Sequence, residues 1–427
     1  MEHALVVFLF ILFLVIIISI VNEKVFKIPN DIALVLFAFV LSVIFKILSE
    51  TGFVDWSDTV VGNLQSFDFE GFLMDGILCF MLFAGASGVN FNRFVKNIKS
   101  ISLLALLTTV LSSFLYGGLF YLANLALGLG FSIWVCILLG CIVSPTDPIA
   151  ATSILKKAGL SKNVSTVIEG ESLFNDGTGV AAFVCIKNIV NDTSDLSFPV
   201  LMAKELLGAI AIALAISFVM FSLLKCTNNP MLHIFISMFD VMAAYIVCEH
   251  LGCSGVIASV VCGIYFSKAM AGKEEWRKAV DPKDWYEDFW HIADTLCNSI
   301  LFILIGVALL NMPNHKYLIP LILIAIIGNF IARFIGVFVS TLITGKHKIP
   351  NRYSPVEFTT LMTWSALKGG LSLALAISTE AFLPEGIFHV VIIITYVTMF
   401  FTIVIQGLTT KKIFAVVEKM KAKRIVE

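Results

Sequence analysis

Long apolar runs separated by short polar stretches extend along the whole chain. A run of about 17–28 apolar residues forms a helix long enough to cross the ~30 Å hydrocarbon core of a bilayer. The pattern predicts about thirteen such spans, all of them helical. The predicted spans are 4–21, 30–48, 72–89, 101–127, 131–156, 163–187, 199–224, 231–249, 253–271, 290–311, 317–344, 355–381 and 387–412.

The composition agrees with an all-α polytopic membrane protein. The chain is 59% hydrophobic and 14% charged, with a mean hydropathy of +0.96. Soluble domains average about 25% charged residues, so the composition excludes that class. A net charge of −1 offers no basic surface for nucleic acid. The lipid bilayer is therefore the expected partner surface.

The distribution of Lys and Arg predicts the orientation, because basic residues are concentrated in cytoplasmic connections. Most of them fall in the connections after odd-numbered spans, and the alternate connections are nearly free of them, which predicts an external N-terminus and a cytoplasmic C-terminus. Residues 273–291 mix charges with aromatic side chains and indicate an amphipathic segment at the cytoplasmic interface. Residues 413–427 form a short basic cytoplasmic tail. The rest of the chain is one transmembrane unit, and we expect it to lie in the cell membrane.

Span 5 carries a carboxylate inside its apolar run. Asp147 lies between Pro145 and Pro148. Proline removes a backbone donor and disrupts the preceding turn, so we expect the helix to be broken here. A charged residue at the centre of a membrane helix costs at least ~2.5–3.5 kcal/mol on insertion scales, which makes an acid at this depth a functional candidate. A broken helix with a buried carboxylate is typical of cation sites in secondary transporters.

Span 6 carries four polar side chains around its centre. Glu171 and Asn175 are four residues apart, as are Ser172 and Asp176, so the two pairs form adjacent stripes on one helix face. Carboxylate, amide and hydroxyl oxygens suit a hard monovalent cation, and the lack of His or Cys among them argues against a transition metal. No cofactor is expected beyond the transported ions.

Burial and a neighbouring carboxylate both make a carboxyl group hold its proton more tightly. Protons and cations then compete for the same oxygens. A protein that changes the face to which it opens only when one or the other is bound exchanges them. Proton/cation exchange is therefore the predicted function.

Span 12 contains a second interruption. Lys368 lies at its midpoint, next to Gly369 and Gly370, which allow the helix to unwind. Spans 5 and 12 are an odd number of spans apart, which predicts inverted repeats with two crossed discontinuous helices. A buried lysine needs an acidic partner, and Glu171 is the candidate. Arg333, in span 11, is a second buried cation that we expect to pair with an acid or with carbonyl groups.

Alternatives remain at this point. Gly252-Cys253-Ser254-Gly255 contains the GxSG pattern of an intramembrane serine protease, but no histidine lies in the interior of a later span. A passive cation channel would need no inverted pair of broken helices. Exchange of potassium for protons would use the same site as exchange of sodium.

The motifs of spans 5 and 6 resemble the paired signatures of NhaP-type sodium/proton antiporters, members of the monovalent cation:proton antiporter family. The segments that carry the resemblance are Ser144-Pro145-Thr146-Asp147-Pro148-Ile149-Ala150, Glu171-Ser172-Leu173-Phe174-Asn175-Asp176-Gly177, Leu251-Gly252-Cys253-Ser254-Gly255-Val256 and Trp364-Ser365-Ala366-Leu367-Lys368-Gly369-Gly370. The resemblance implies exchange of protons for sodium and lithium by a homodimer of thirteen-helix protomers, with a six-helix core that moves as an elevator.

The resemblance also assigns roles to single residues. It implies that Asp147 and Asp176, with Ser172 and the Thr146 backbone region, bind the cation. Asn175 stands where electrogenic relatives carry a second Asp, which implies electroneutral one-for-one exchange and places Asn175 in the site.

Two positions depart from the family pattern. Lys368 stands where the family usually has Arg, and lysine lacks the bidentate fork. Some members carry an acidic ligand in span 3, where the nearest residues here are Ala84 and Gly85. Both departures leave the choice between sodium and potassium open.

Overall fold

The computed structural model describes residues 2–50, 71–147, 161–193, 196–227, 229–271, 285–308, 315–345 and 353–426. Most of these residues are helical, and none of them lies in a β-strand. Their α-helices, in chain order, are α1 (Glu2–Val21), α2 (Asn30–Glu50), α3 (Leu78–Ser87), α4 (Phe91–Leu127), α5 (Ile133–Val143), α6 (Lys162–Val190), α7 (Phe198–Leu224), α8 (Pro230–His250), α9 (Gly255–Ala271), α10 (Trp285–Ala308), α11 (Leu318–Leu323), α12 (Asn329–Thr344), α13 (Pro355–Trp364), α14 (Gly370–Ile377), α15 (Glu385–Phe400) and α16 (Gly407–Val426).

Wider turns extend several of these helices. A π-helical turn at Phe72–Ile77 precedes α3, another at Ile324–Gly328 joins α11 to α12, and a third at Phe401–Gln406 joins α15 to α16. A 3₁₀ turn at Ser378–Ala381 follows α14. The joined pairs therefore run as single long helices, as the apolar runs 317–344 and 387–412 predict.

Every predicted span overlaps a helix within the described residues. Seven helical stretches there are long and apolar enough to cross a membrane: Phe8–Phe26, Phe91–Leu127, Phe198–Leu224, Pro230–His250, Trp285–Val307, Leu318–Thr344 and Glu385–Arg424. The count of thirteen spans and the inverted repeat stay predictions.

Several boundaries differ from those predicted. Helix α4 begins at Phe91, ten residues before the predicted span, because the Asn90 side chain accepts the Arg93 N–H and caps the helix. Residues 285–291 of the predicted interfacial segment form the first turns of α10, and the preceding residues 273–284 lie outside the described residues. The basic tail continues α16 as a helix to Val426. Pro148 and the second half of span 5 also lie outside the described residues.

Apolar side chains cover the outer surface of the helix bundle as well as its core. Helix α7 turns Leu207 and Phe218 outward, 66% and 65% exposed, and α8 does the same with Phe235, 61% exposed. In water these faces would be costly to expose, whereas in lipid tails they are well solvated. The surface therefore fits an integral membrane protein.

Candidate functional site

The interruptions of spans 5 and 12 meet inside the bundle. Helix α5 ends at Val143 and the chain continues through Ser144–Asp147 without helical hydrogen bonds. Helix α13 ends at Trp364, and α14 begins after an extended stretch that finishes at Gly369. The Asp147 N–H donates to the Leu367 carbonyl at 2.8 Å. Each interruption thus supplies a partner for the backbone of the other, which is how unwound backbone remains stable away from water.

Lys368 joins the two interruptions by its side chain. Its ammonium donates to the Ser144 carbonyl at 3.0 Å, and its backbone N–H donates to Thr402 Oγ1 at 3.2 Å. Ser144 is the C-terminal cap of α5, where unpaired carbonyls carry partial negative charge. The lysine charge therefore lies at the end of a helix dipole that favours it.

The predicted ion pair between Glu171 and Lys368 is wrong. Glu171 pairs instead with Arg333 of α12, whose Nη2 lies 2.9 Å from both Oε1 and Oε2 of Glu171. The two side chains are 1% and 3% exposed. The guanidinium of Arg333 reaches the Glu171 carboxylate from α12, whereas the Lys368 ammonium is held at the Ser144 carbonyl. The expectation that Arg333 pairs with an acid is correct.

Asn175 holds the interrupted segment of span 5 against α6. Its Oδ1 accepts the Thr146 N–H at 3.0 Å, and its Nδ2 donates to Thr146 Oγ1 and, at 3.3 Å, to Glu171 Oε1. Thr146 Oγ1 also lies 3.0 Å from Ser172 Oγ. The structure therefore brings Thr146, Ser172 and Asn175 together, with hydrogen bonds among themselves. Cation binding by these three residues stays a prediction.

Asp147 and Asp176 line one small cavity of about 40 Å³, beside Pro145 and Gly369. Both aspartates are 7% exposed and they interact electrostatically with each other. The volume is of the order of one water molecule, which occupies ~30 Å³ in the liquid. Two carboxylates facing a space of that size have the chemistry to hold one small cation or protons, and cation binding by them stays a prediction.

The rest of the cavity wall is mainly apolar. Leucines of α3, α6 and α14 contribute to it, and so does Gly85 of α3. Some members of the family that the chain resembles carry a further acid in span 3, where the nearest residues here are Ala84 and Gly85. Among the described residues of this wall, Asp147 and Asp176 are the only carboxylates. That span 3 supplies no acidic ligand stays a prediction.

Two glycines allow the close approach of the elements that form the site. A Cβ at Gly369 would lie 2.8 Å from Asp147 Oδ2, and a Cβ at Gly179 would overlap the ring of Pro145. Any larger residue would push the interrupted segments away from each other or from α6. Both glycines thus fix the distance between the carboxylates and the helices around them.

The sequence analysis missed Asp294 of α10. Its carboxylate interacts electrostatically with Asp147, and Asn298 Nδ2 donates to its Oδ1 at 2.9 Å. Asp294 is an acid within the apolar run 290–311, and that position was the available signal. The protease interpretation gains no support, because Ser254 Oγ accepts the Ile257 N–H at the start of α9 and bonds no histidine within the described residues.

Comparison with known proteins gives consistent matches. The sequence model of the family described as "Sodium/hydrogen exchanger, transmembrane" matches residues 7–416. The chain is 31% identical over 397 residues to the Na(+)/H(+) antiporter NhaP of Pseudomonas aeruginosa, covering 91% of both chains. It is 28% identical over 402 residues to the Na(+)/H(+) antiporter NhaH of Halobacillus aidingensis, covering 91% of this chain and 92% of that one.

A solved structure resembles the fold. The sodium proton antiporter MjNhaP1 from Methanocaldococcus jannaschii at pH 8 superposes with a TM-score of 0.74 and 19% identity, over 97% of this chain and 99% of that one. At this identity the likeness shows the fold alone.

Proposed function

The chain belongs to the sodium/hydrogen exchanger family, and on this premise we propose that it exchanges protons for sodium ions across a membrane. The observation that carries the proposal is the shared cavity of Asp147 and Asp176, at the junction of the two interrupted segments. The names of the relatives, Na(+)/H(+) antiporters, support the choice of ions. The protein is a transporter and carries out no covalent chemistry.

Competition at the two carboxylates accounts for exchange. In so small a cavity, a bound cation occupies the oxygens that a proton would otherwise take, so the site holds either ion but not both. A proton or a cation neutralises charge that would be costly to move through the membrane. Only an occupied site can then change the face to which it opens. This coupling turns a gradient of one ion into movement of the other.

The charges around the site support one-for-one, electroneutral exchange. The Glu171–Arg333 pair is neutral as a unit. When both aspartates are ionised and Lys368 is protonated, these three side chains together carry one net negative charge. One sodium ion or one proton neutralises it equally. Asn175 contributes no charge, since it is an amide that holds Thr146.

We further propose a homodimer in the cell membrane, with an external N-terminus and a cytoplasmic C-terminus. The basic residues of α16 support the orientation. The exposed apolar faces of α7 and α8 are available for lipid or for a second copy. In this arrangement the interrupted segments belong to the part that moves.

For the ion preference we propose sodium, with lithium as a second substrate. The small cavity volume favours the smaller alkali cations once they lose their water. Potassium/proton exchange is the alternative.

Everted membrane vesicles from an antiporter-deficient bacterial strain test the proposal. After respiration has acidified the lumen, a pH-sensitive dye reports proton release when chloride salts of sodium, lithium, potassium or choline are added. We expect dequenching with sodium and lithium, none with choline, and none with any salt in Asp176→Asn. Dequenching with potassium alone would favour the alternative. Equal responses in wild type and Asp176→Asn would contradict the proposed site.

A further inference from the structure

A second cavity of about 320 Å³ lies beyond the ion cavity; we refer to it as the outer cavity. Its walls come from α6, α7, α8, the loop between α8 and α9, α14 with the turn after it, and the π-helical turn before α3. Its lining includes Val180, Lys187, Glu205, Glu249, Ser254 and Ser378. The volume is about ten times the ~30 Å³ of one water in the liquid, so a hydrated ion fits inside.

The outer cavity lies at the end of the bundle that we expect to be external. Span 12 fixes this polarity, because Glu357 at its start bonds Arg424 of the basic tail at 3.0 Å. Ser378, which follows α14 at the other end of the same span, lines the outer cavity. The cavity therefore faces away from the basic tail.

The two cavities follow each other along the same elements. On α6, Asp176 lines the ion cavity and Val180 lines the outer one, four residues or ~6 Å along the helix. On α14, Leu371 lines the ion cavity and Leu375, four residues further along the helix, lines the outer cavity. These two leucines are 6% and 2% exposed. The barrier between the cavities is thus about one helical turn of apolar side chains.

Glu205 of α7 is the unusual side chain of the outer cavity. It is 9% exposed and lines the cavity. Within the described part of the chain, its carboxylate accepts no hydrogen bond and forms no ion pair. Its backbone carbonyl accepts the Ser254 N–H at 3.2 Å. Because a buried carboxylate without a partner is costly, this one is suited to hold a ligand from the cavity.

The other charged groups near Glu205 have their own contacts. Glu249 Oε1 accepts the Gly255 N–H at 2.8 Å. The Lys187 ammonium lies over the ring of Phe382, 5.1 Å from its centroid. Lys204 is exposed and acts on Glu205 only electrostatically. The carboxylate of Glu205 is therefore the group of this cavity that is free to bind a cation.

We infer that the outer cavity is a second cation site, at which Glu205 binds the monovalent cation between the external solution and the ion cavity. The inference rests on the proposed exchange function. A cation held there is one helical turn from Asp176. It passes to the ion cavity when the apolar barrier between the two cavities opens. Glu205 would then set the apparent affinity for sodium at the external face alone.

Sodium-dependent proton movement in right-side-out and everted vesicles of the full-length protein tests this, since each orientation presents sodium to one face. We expect Glu205→Gln to raise the sodium KM at the external face by about five- to tenfold, the effect of losing one partly screened charge attraction. The KM at the cytoplasmic face should stay within about twofold of wild type. Glu205→Asp should restore most of the external affinity.

Lys204→Gln is the matched control, because it removes the opposite charge from an exposed neighbour on the same helix. It should lower the external sodium KM and leave the cytoplasmic KM unchanged. If Glu205→Gln does not reach the membrane, the direction in which Lys204→Gln changes the external sodium KM tests the inference instead.

An external KM within twofold of wild type in Glu205→Gln, or an equal rise at both faces, would overturn the inference. So would an unchanged external KM in Lys204→Gln. These outcomes differ from failure of the proposed function, in which the wild-type protein itself moves no protons on addition of sodium or lithium.

Discussion

Replacing Arg333 by methionine removes the guanidinium that holds Glu171 and keeps an unbranched side chain in its place. Both side chains are almost fully buried, and one guanidinium nitrogen lies 2.9 Å from both carboxylate oxygens. The substitution leaves Glu171 charged and unpaired inside the bundle. We expect Arg333→Met to lower the stability of the folded protein strongly.

The structure allows a rough magnitude. Breaking a buried ion pair by removing one partner costs about 3–5 kcal/mol, because the remaining charge stays desolvated. Within the described residues, Nε and Nη1 of Arg333 have no hydrogen-bond partner, so the intact pair is incompletely satisfied. Removing both charges should therefore cost much less than removing one. We expect the double variant Arg333→Met with Glu171→Gln to lose only about 1 kcal/mol, since Gln keeps an acceptor for Asn175.

The loss of stability is measured by heating the full-length protein in detergent to a series of temperatures. Size-exclusion chromatography of each sample then gives the fraction that remains folded. Arg333→Met should lower the midpoint by about 3–6 °C, and the double variant should recover most of that loss. Lys368→Met is the comparison, because it leaves the Glu171–Arg333 pair intact. We expect it to lower the midpoint by less than Arg333→Met.

Two results would refute this reasoning. An unchanged midpoint in Arg333→Met would mean that the pair contributes nothing to the fold. A double variant as unstable as the sum of the two single variants would mean that the two side chains do not interact energetically.

Other substitutions test other parts of the account. Gly369→Ala would place a methyl group 2.8 Å from Asp147 Oδ2, so we expect transport in vesicles to fall at least tenfold while the protein still folds; normal transport would contradict the close packing. Asn175→Asp adds a negative charge beside the site, and exchange in proteoliposomes should become sensitive to an imposed membrane potential, whereas the wild type should not be. Arg424→Ala removes two hydrogen bonds to Glu357 from a half-exposed side chain, and we expect the midpoint of thermal unfolding to stay close to that of the wild type, because surface ion pairs contribute little to stability.

The sequence predicted the helices and the interruptions well, for simple physical reasons. Apolar runs of membrane length must satisfy their backbone internally, so they form helices. The break at Pro145 follows from a residue type that disrupts a regular helix, and the one at Gly369-Gly370 from a residue type that weakens it. The cost of burying charge identified Asp147 and Lys368, which lie at these breaks, as functional candidates.

The pairing of charges could not be predicted in the same way. Lys368 and Arg333 are both buried cations, and their residue types alone do not show which one reaches Glu171. The answer depends on the rotation and depth of α12 relative to α6, which places Nη2 of Arg333 against both carboxylate oxygens. Glu205 was missed for a similar reason, because its isolation becomes visible only when the cavity walls are assembled.

Uptake of radioactive sodium into proteoliposomes, driven by an imposed proton gradient with the membrane potential clamped at zero, tests the central claim most directly. With an acidic lumen, we expect wild-type protein to accumulate sodium above equilibrium as protons leave, and Asp176→Asn to accumulate none. Sodium that only equilibrates, whatever the proton gradient, would show a passive pathway and contradict exchange.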